Sequence, residues 1–70
     1  MSPPRDGDVR ALRERLRLAR HADTLRDLLA EADALAEQCA VEAPRLFPAA
    51  RDLRTAAEQR LQAAVARERV

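Results

Sequence analysis

An all-α protein is what three observations on this 70-residue chain predict. Ala, Leu, Arg, Asp and Glu dominate and only one Gly is present, a composition of good helix formers. Strand formers are scarce, since four Val, two Thr and one Phe cannot furnish a sheet. Apolar residues also recur at three- and four-residue spacings along almost the whole length. The predicted architecture is an antiparallel helical hairpin with a third, N-terminal helix. That helix either folds back on the hairpin or continues its first arm.

Residues 1–7 read as a flexible tail, because Pro3-Pro4 favours extended backbone and Gly7 loosens the chain beyond it. A single helical domain is expected over 8–70, with helices at 8–22, 23–40 and 48–69 and a loop at 41–47. Asp8 is the expected N-cap, its carboxylate accepting from the free N–H groups of the first turn. From Asp8 to Ala40 there is neither Gly nor Pro, yet the apolar pattern changes phase. Val9, Leu12, Leu16 and Ala19 form one stripe. Leu18, Ala22, Leu25, Leu29, Ala32, Ala36 and Cys39, widened by Leu28 and Leu35, form another on nearly the opposite side of one straight helix. Two readings stay open. The helix breaks between His21 and Thr24, where Asp23 or Thr24 caps a new start and Thr24-Leu25-Arg26-Asp27 resembles a capping box, or one long helix shows different faces to different neighbours. We favour the break.

Pro44 and Pro48 end the second helix. They are four residues apart, so they cannot both open the same helix at its first position, where proline is tolerated. The last helix is therefore placed from Phe47 or Pro48 onward, with Phe47 as a plug for the loop. Its stripe is Leu46, Ala50, Leu53, Ala57, Leu61 and Ala64, widened by Val65. It matches the second helix in length, which suits an antiparallel hairpin. Charge supports the pairing. Residues 1–22 carry six Arg against three acids, 23–43 one Arg against six acids, and 44–70 six Arg against three acids. An acidic middle helix between two basic segments sets partner and orientation more than stability.

Sixteen of the hydrophobic residues are Ala and ten are Leu, so a chain this small has little apolar area to bury by itself. Self-association is expected, as a homodimer forming a helical bundle. Leu18, Leu25, Leu28, Leu29, Leu35, Leu53 and Leu61 are the expected partner or oligomer interface.

No enzyme is expected. His21 and Cys39 are the only residues of their kinds, the one Ser lies in the tail, and no glycine-rich loop exists to cradle phosphate. Structural zinc wants four Cys or His ligands, so no metal and no cofactor are expected. Cys39 falls on an apolar stripe as a small core residue, its single thiol compatible with a reducing cytoplasm. Neither a secretory signal nor a transmembrane segment is legible. Arg10, Arg13, Arg17 and Arg20 share one side of the first helix and are the candidate phosphate-binding edge. The net charge of +1 and the near absence of aromatic residues for stacking bases argue against a sequence-specific reader.

From Leu25 onward the chain resembles the soluble helical part of the ElaB/YqjD family. The matching residues are Leu25, Leu28 and Leu35, the break from Cys39 to Pro48, then Arg54, Ala57, Glu58 and Leu61, with Ala64 and Arg67 behind. The resemblance implies a small bacterial helical protein without catalytic residues, of a kind associated with ribosomes in stationary phase. The family's C-terminal membrane anchor has no counterpart before Val70, so membrane attachment is not carried over. The expected function is a cytoplasmic, non-enzymatic helical interaction or oligomerisation module, such as a stress- or ribosome-associated adaptor. The alternatives are a small partner-binding regulator, such as an antitoxin or secretion chaperone, and an RNA- or DNA-associated protein using the Arg edge.

Overall fold

The first helix, α1, covers Asp6–Leu18, two residues earlier than the sequence suggests. The computed structural model describes residues 2–69, so Met1 of the expected tail and Val70 of the expected domain lie outside the described residues. Arg5, in extended conformation, takes the N-cap position. Asp8 sits three residues further on, and its Oδ2 accepts from the Arg5 backbone N–H at 2.9 Å. Asp8 thus serves as the returning carboxylate of a capping box, not as the N-cap. Gly7 lies within the helix with ordinary negative φ, and a Cβ added there meets nothing within 4 Å. Its place in the first turn reflects no demand for glycine.

Helix α1 stops at Leu18, where Ala19 turns extended at φ −71°, ψ 135°. After three linking residues, Ala19–His21, α2 runs over Ala22–Glu42. The break is real but falls earlier than His21–Thr24. His21 is the N-cap and makes no side-chain cap bond, while Asp23 and Thr24 lie in the first turn. The caps come from elsewhere in the chain. Glu68 accepts from the Ala22 N–H at 3.3 Å. The Arg60 guanidinium donates to the Leu16 carbonyl and, at 2.9 Å, to the Ala19 carbonyl. An anion at a helix start and a cation at a helix end are each what the helix dipole favours.

The two prolines find compatible places because the corner is divided. Helix α2 reaches Glu42, so Val41 is helical rather than part of a loop. Ala43 turns the chain, Pro44 opens a 3-10 turn over Pro44–Leu46, and Pro48 sits in the first turn of α3, Phe47–Glu68. Each proline thus occupies a position where its missing N–H costs no bond. The loop expected over 41–47 is mostly helical turn.

The chain is all-α, an antiparallel α2–α3 hairpin with α1 folded back along it. Asp6 of α1 reaches Arg45 at the α2–α3 corner, and Arg15 reaches Glu31 midway along α2, so α1 runs antiparallel to α2 and parallel to α3. The resulting three-helix rod measures 42 × 17 × 16 Å. Its main core holds Val9, Leu12 and Leu16 from α1, Leu25, Leu28 and Ala32 from α2, and Leu53, Ala57 and Ala64 from α3. A second cluster of Ala36, Cys39, Leu46 and Ala50, with Phe47 packed against it, closes the corner. Seven of the fifteen buried apolar residues are Ala, so the few leucines carry a large share of the burial energy. Among the described residues no polar side chain is buried without a partner.

Leu25→Ala and Leu28→Ala, at 1% and 2% exposure, should each lower stability by about 2–5 kcal/mol, while Leu18→Ala, at 60% exposure, should change it by less than about 0.5 kcal/mol. Denaturant melts of the three variants check this. Gly7→Ala should raise stability by about 0.4–1 kcal/mol in the same experiment, through the entropy of the unfolded chain.

Candidate interaction surfaces

A three-helix rod presents three outer grooves, one between each pair of helices. The seven leucines expected at a partner interface distribute unequally over them. Leu25, Leu28 and Leu53 are buried in the chain's own core. They face neighbouring helices of the same molecule, and this corrects their place at the centre of an outward interface: α1 folds back over the stripe that a bare hairpin would leave open. Leu29, Leu35 and Leu61 are half-buried, packed on the core with one side open. Leu29 borders the α2–α3 groove beside Arg26, Asp33, Arg54 and Glu58, and Leu35 borders the α1–α2 groove beside Leu12. Leu18 is mostly exposed at the end of α1. Val41 is more open still, 82% exposed. Its expected position in a loop concealed that it stands on the outer side of α2.

The Arg edge is shorter than the sequence suggests. Arg10, Arg13 and Arg17 lie on α1, all exposed. Arg20 lies in the link between α1 and α2 and does not continue the helical face, because Ala19 has already left helical geometry. Arg17 is held by Glu14, three residues before it. Neither Arg10 nor Arg13 forms an ion pair with a described residue. Arg13 and Arg17 line the α1–α3 groove together with Leu16, Ala49, Asp52, Leu53, Ala56 and Arg60. The residue that sequence reasoning missed is Arg60. Nothing in its spacing marks it, since its partners are carbonyls at the far end of another helix.

Ion pairs tie the acidic middle helix to both neighbours. Arg15 of α1 grips Glu31 of α2 with two bonds of 2.7 Å, and Asp33 of α2 meets Arg54 of α3 at 3.2 Å. The pairs are exposed, so they fix register more than they stabilise. The Arg15 hydrogen bonds hold the Glu31 carboxyl below its usual range against the opposing effect of burial, with the Arg15 charge adding a smaller pull in the same direction as the hydrogen bonds. Glu14 is lowered by Arg17 in the same way. The Cys39 thiol, fully buried, is pushed up by burial and by the charge of Asp8, so little of it is the reactive thiolate. His21 is exposed at the start of α2.

Among the described residues no group of three or more His, Cys, Asp or Glu is placed to hold a metal ion, and no helix is long and apolar enough to cross a membrane. The arrangement offers open grooves, charged rims and partly exposed leucines. The chain matches no protein-family model, no curated protein and no solved structure. Its fold therefore defines its class, a small three-helix bundle.

Because the folded-state pKa of Glu31 is depressed, its contribution is complete above the ordinary value of 4.5 and is lost as pH falls through the lowered one. The difference in melting temperature between the wild type and Glu31→Gln should therefore shrink as pH is lowered from neutrality to about 3. Arg60→Met should lower stability by about 1–3 kcal/mol by stripping two charge-assisted bonds from the end of α1, measurable as a drop in the denaturant midpoint.

Proposed function

We propose that this protein is a non-enzymatic helical module that binds other proteins through its charged outer faces. The observation that carries this reading is the sorting of charge by side. Asp23, Asp27 and Glu37 stand exposed on α2, while Arg10, Arg13 and Arg17 stand exposed on α1, with the last two bordering the groove opposite α2. Complementary potentials of this kind favour encounter and exclude wrong partners. The extent of surface supports the reading too. The chain exposes 5007 Å², against about 4,400 Å² for a compact monomer of its mass.

Affinity capture from a native, ribonuclease-treated lysate should recover protein partners with the wild type and lose them with Arg10→Gln/Arg13→Gln/Arg17→Gln. Recovery of the same proteins by both would overturn the assignment of the basic face.

A second reading, an electrostatic nucleic-acid binder, draws on Arg10 and Arg13, which no described carboxylate neutralises. It expects the logarithm of affinity for an RNA duplex to fall with the logarithm of salt at a slope of about −2, the value for two neutralised phosphates. Affinity indifferent to salt in fluorescence anisotropy would exclude it.

A further inference from the structure

The exposed side of α2 carries its own regular pattern. Asp23, Asp27, Ala30, Ala34, Glu37 and Val41 follow a 4-3-4-3-4 spacing, and all six are exposed. Such spacing defines one face of a helix, and this face lies opposite the stripe that α2 turns inward. Val41, 82% exposed, is the large apolar residue on this face, and Ala30 and Ala34 leave its middle flat enough for close helix approach. On the other side of the rod, the α1–α3 groove has a floor of Leu16 and Leu53 and two small, half-buried residues, Ala49 and Ala56, one heptad apart. Its rims carry Arg13, Arg17 and Arg60 against Asp52; Arg17 is also paired with Glu14 and Arg60 bonds the Leu16 and Ala19 carbonyls, so Arg13 is the rim cation with no ion pair to a described residue. A groove floored by small residues lets a further helix approach closely. The basic rim selects an acidic helix, and α2 is the one helix of this chain with a strong acidic excess, six acids to one Arg over residues 23–43.

We infer that the outer face of α2 in one copy docks in the α1–α3 groove of a second copy. The inference rests on the interaction-module reading and names the partner for that surface. Ala30 and Ala34 face the alanine floor, and Asp27 and Glu37 meet the arginine rim. From Asp23 to Val41 the seam spans about 27 Å of helix, enough to run the length of the 13-residue α1. The docked α2 is a fourth helix beside three, as in a four-helix bundle. Because the two surfaces lie on opposite sides of each molecule, the contact is heterologous. Copies add head to tail and form rings or open chains of more than two, unlike a two-fold dimer.

Two variants of the full chain test this by sedimentation velocity. One blocks the groove, Arg13→Glu/Arg17→Gln. The other blocks the face, Asp27→Arg/Glu37→Arg. At about 0.01 M salt, where charges act over about 30 Å, the wild type should grow past the dimer with concentration. At about 1 M salt it should weaken at least tenfold, charges being screened within about 3 Å. Each variant should stay monomeric with its helical melt retained. An equimolar mixture should give a species of two chains and nothing longer, since each member keeps only one working surface. A monomeric wild type at low salt overturns the inference, as does a closed dimer that both variants retain. So does a mixture of folded variants that fails to pair. A wild type that stays monomeric but binds an RNA duplex through Arg13 and Arg17 assigns the groove to a phosphate backbone instead. If the solitary wild type still recovers ribonuclease-resistant protein partners, this inference falls and the binding-module reading stands. If neither occurs, both fall.

Discussion

The reversal of the apolar stripe between Leu16 and Leu25 is the constraint on which the rest of the structure depends. A straight helix through this region would put Val9, Leu12 and Leu16 on one side and Leu25, Leu28 and Ala32 on the other. No single neighbour can cover both. Folding back at Ala19–His21 lets all six meet in one core. The fold-back creates two helix ends without good local caps, since His21 contributes no side-chain bond and no glycine follows Leu18. Helix α3 supplies what is missing: Glu68 satisfies the start of α2, and Arg60 the end of α1. The packing of α3 and the sharpness of the α1–α2 turn are thereby linked.

The alanine-rich core explains why charge matters to this small rod. Alanine allows close helix approach but releases little apolar surface from water, and it is undemanding about which residue it faces. Register must then be set by other means. Arg15–Glu31 and Asp33–Arg54 tie α2 to its two neighbours near mid-rod, and Asp6–Arg45 ties the start of α1 to the corner. None is worth much in energy. Together they penalise slippage by a turn, which a core of alternating Ala and Leu resists only weakly.

Much of the fold was legible in the sequence because each helix presents one stripe. All four residues of the first stripe are buried, and five of the six on the last are. Leu61 is the half-open exception. Cys39 and Phe47 take the expected places in the corner. The boundaries were less legible. Asp8, Asp23 and Thr24 all have cap chemistry, but Asp8 acts from the third position of α1, Asp23 and Thr24 lie inside the first turn of α2, and the ends at the α1–α2 turn are met by Arg60 and Glu68, which are remote in sequence. The surfaces were least legible, for a related reason. A stripe shows that a side chain seeks cover without showing whose. The exposure expected for Leu25, Leu28 and Leu53 came from treating α1 as an arm that could lie elsewhere. Once α1 folds back, those residues are internal and the outer seam of α2 becomes the feature to explain.

The corner built on Ala36, Cys39, Leu46 and Ala50 carries one more consequence. Its cysteine is the only one in the chain, completely enclosed and held in the sluggish protonated form. An alkylating reagent can reach the sulfur only while that end of the hairpin is ajar. The molecule thus contains a built-in stopwatch, in which the pace of thiol capture counts the moments when the packing around that corner opens.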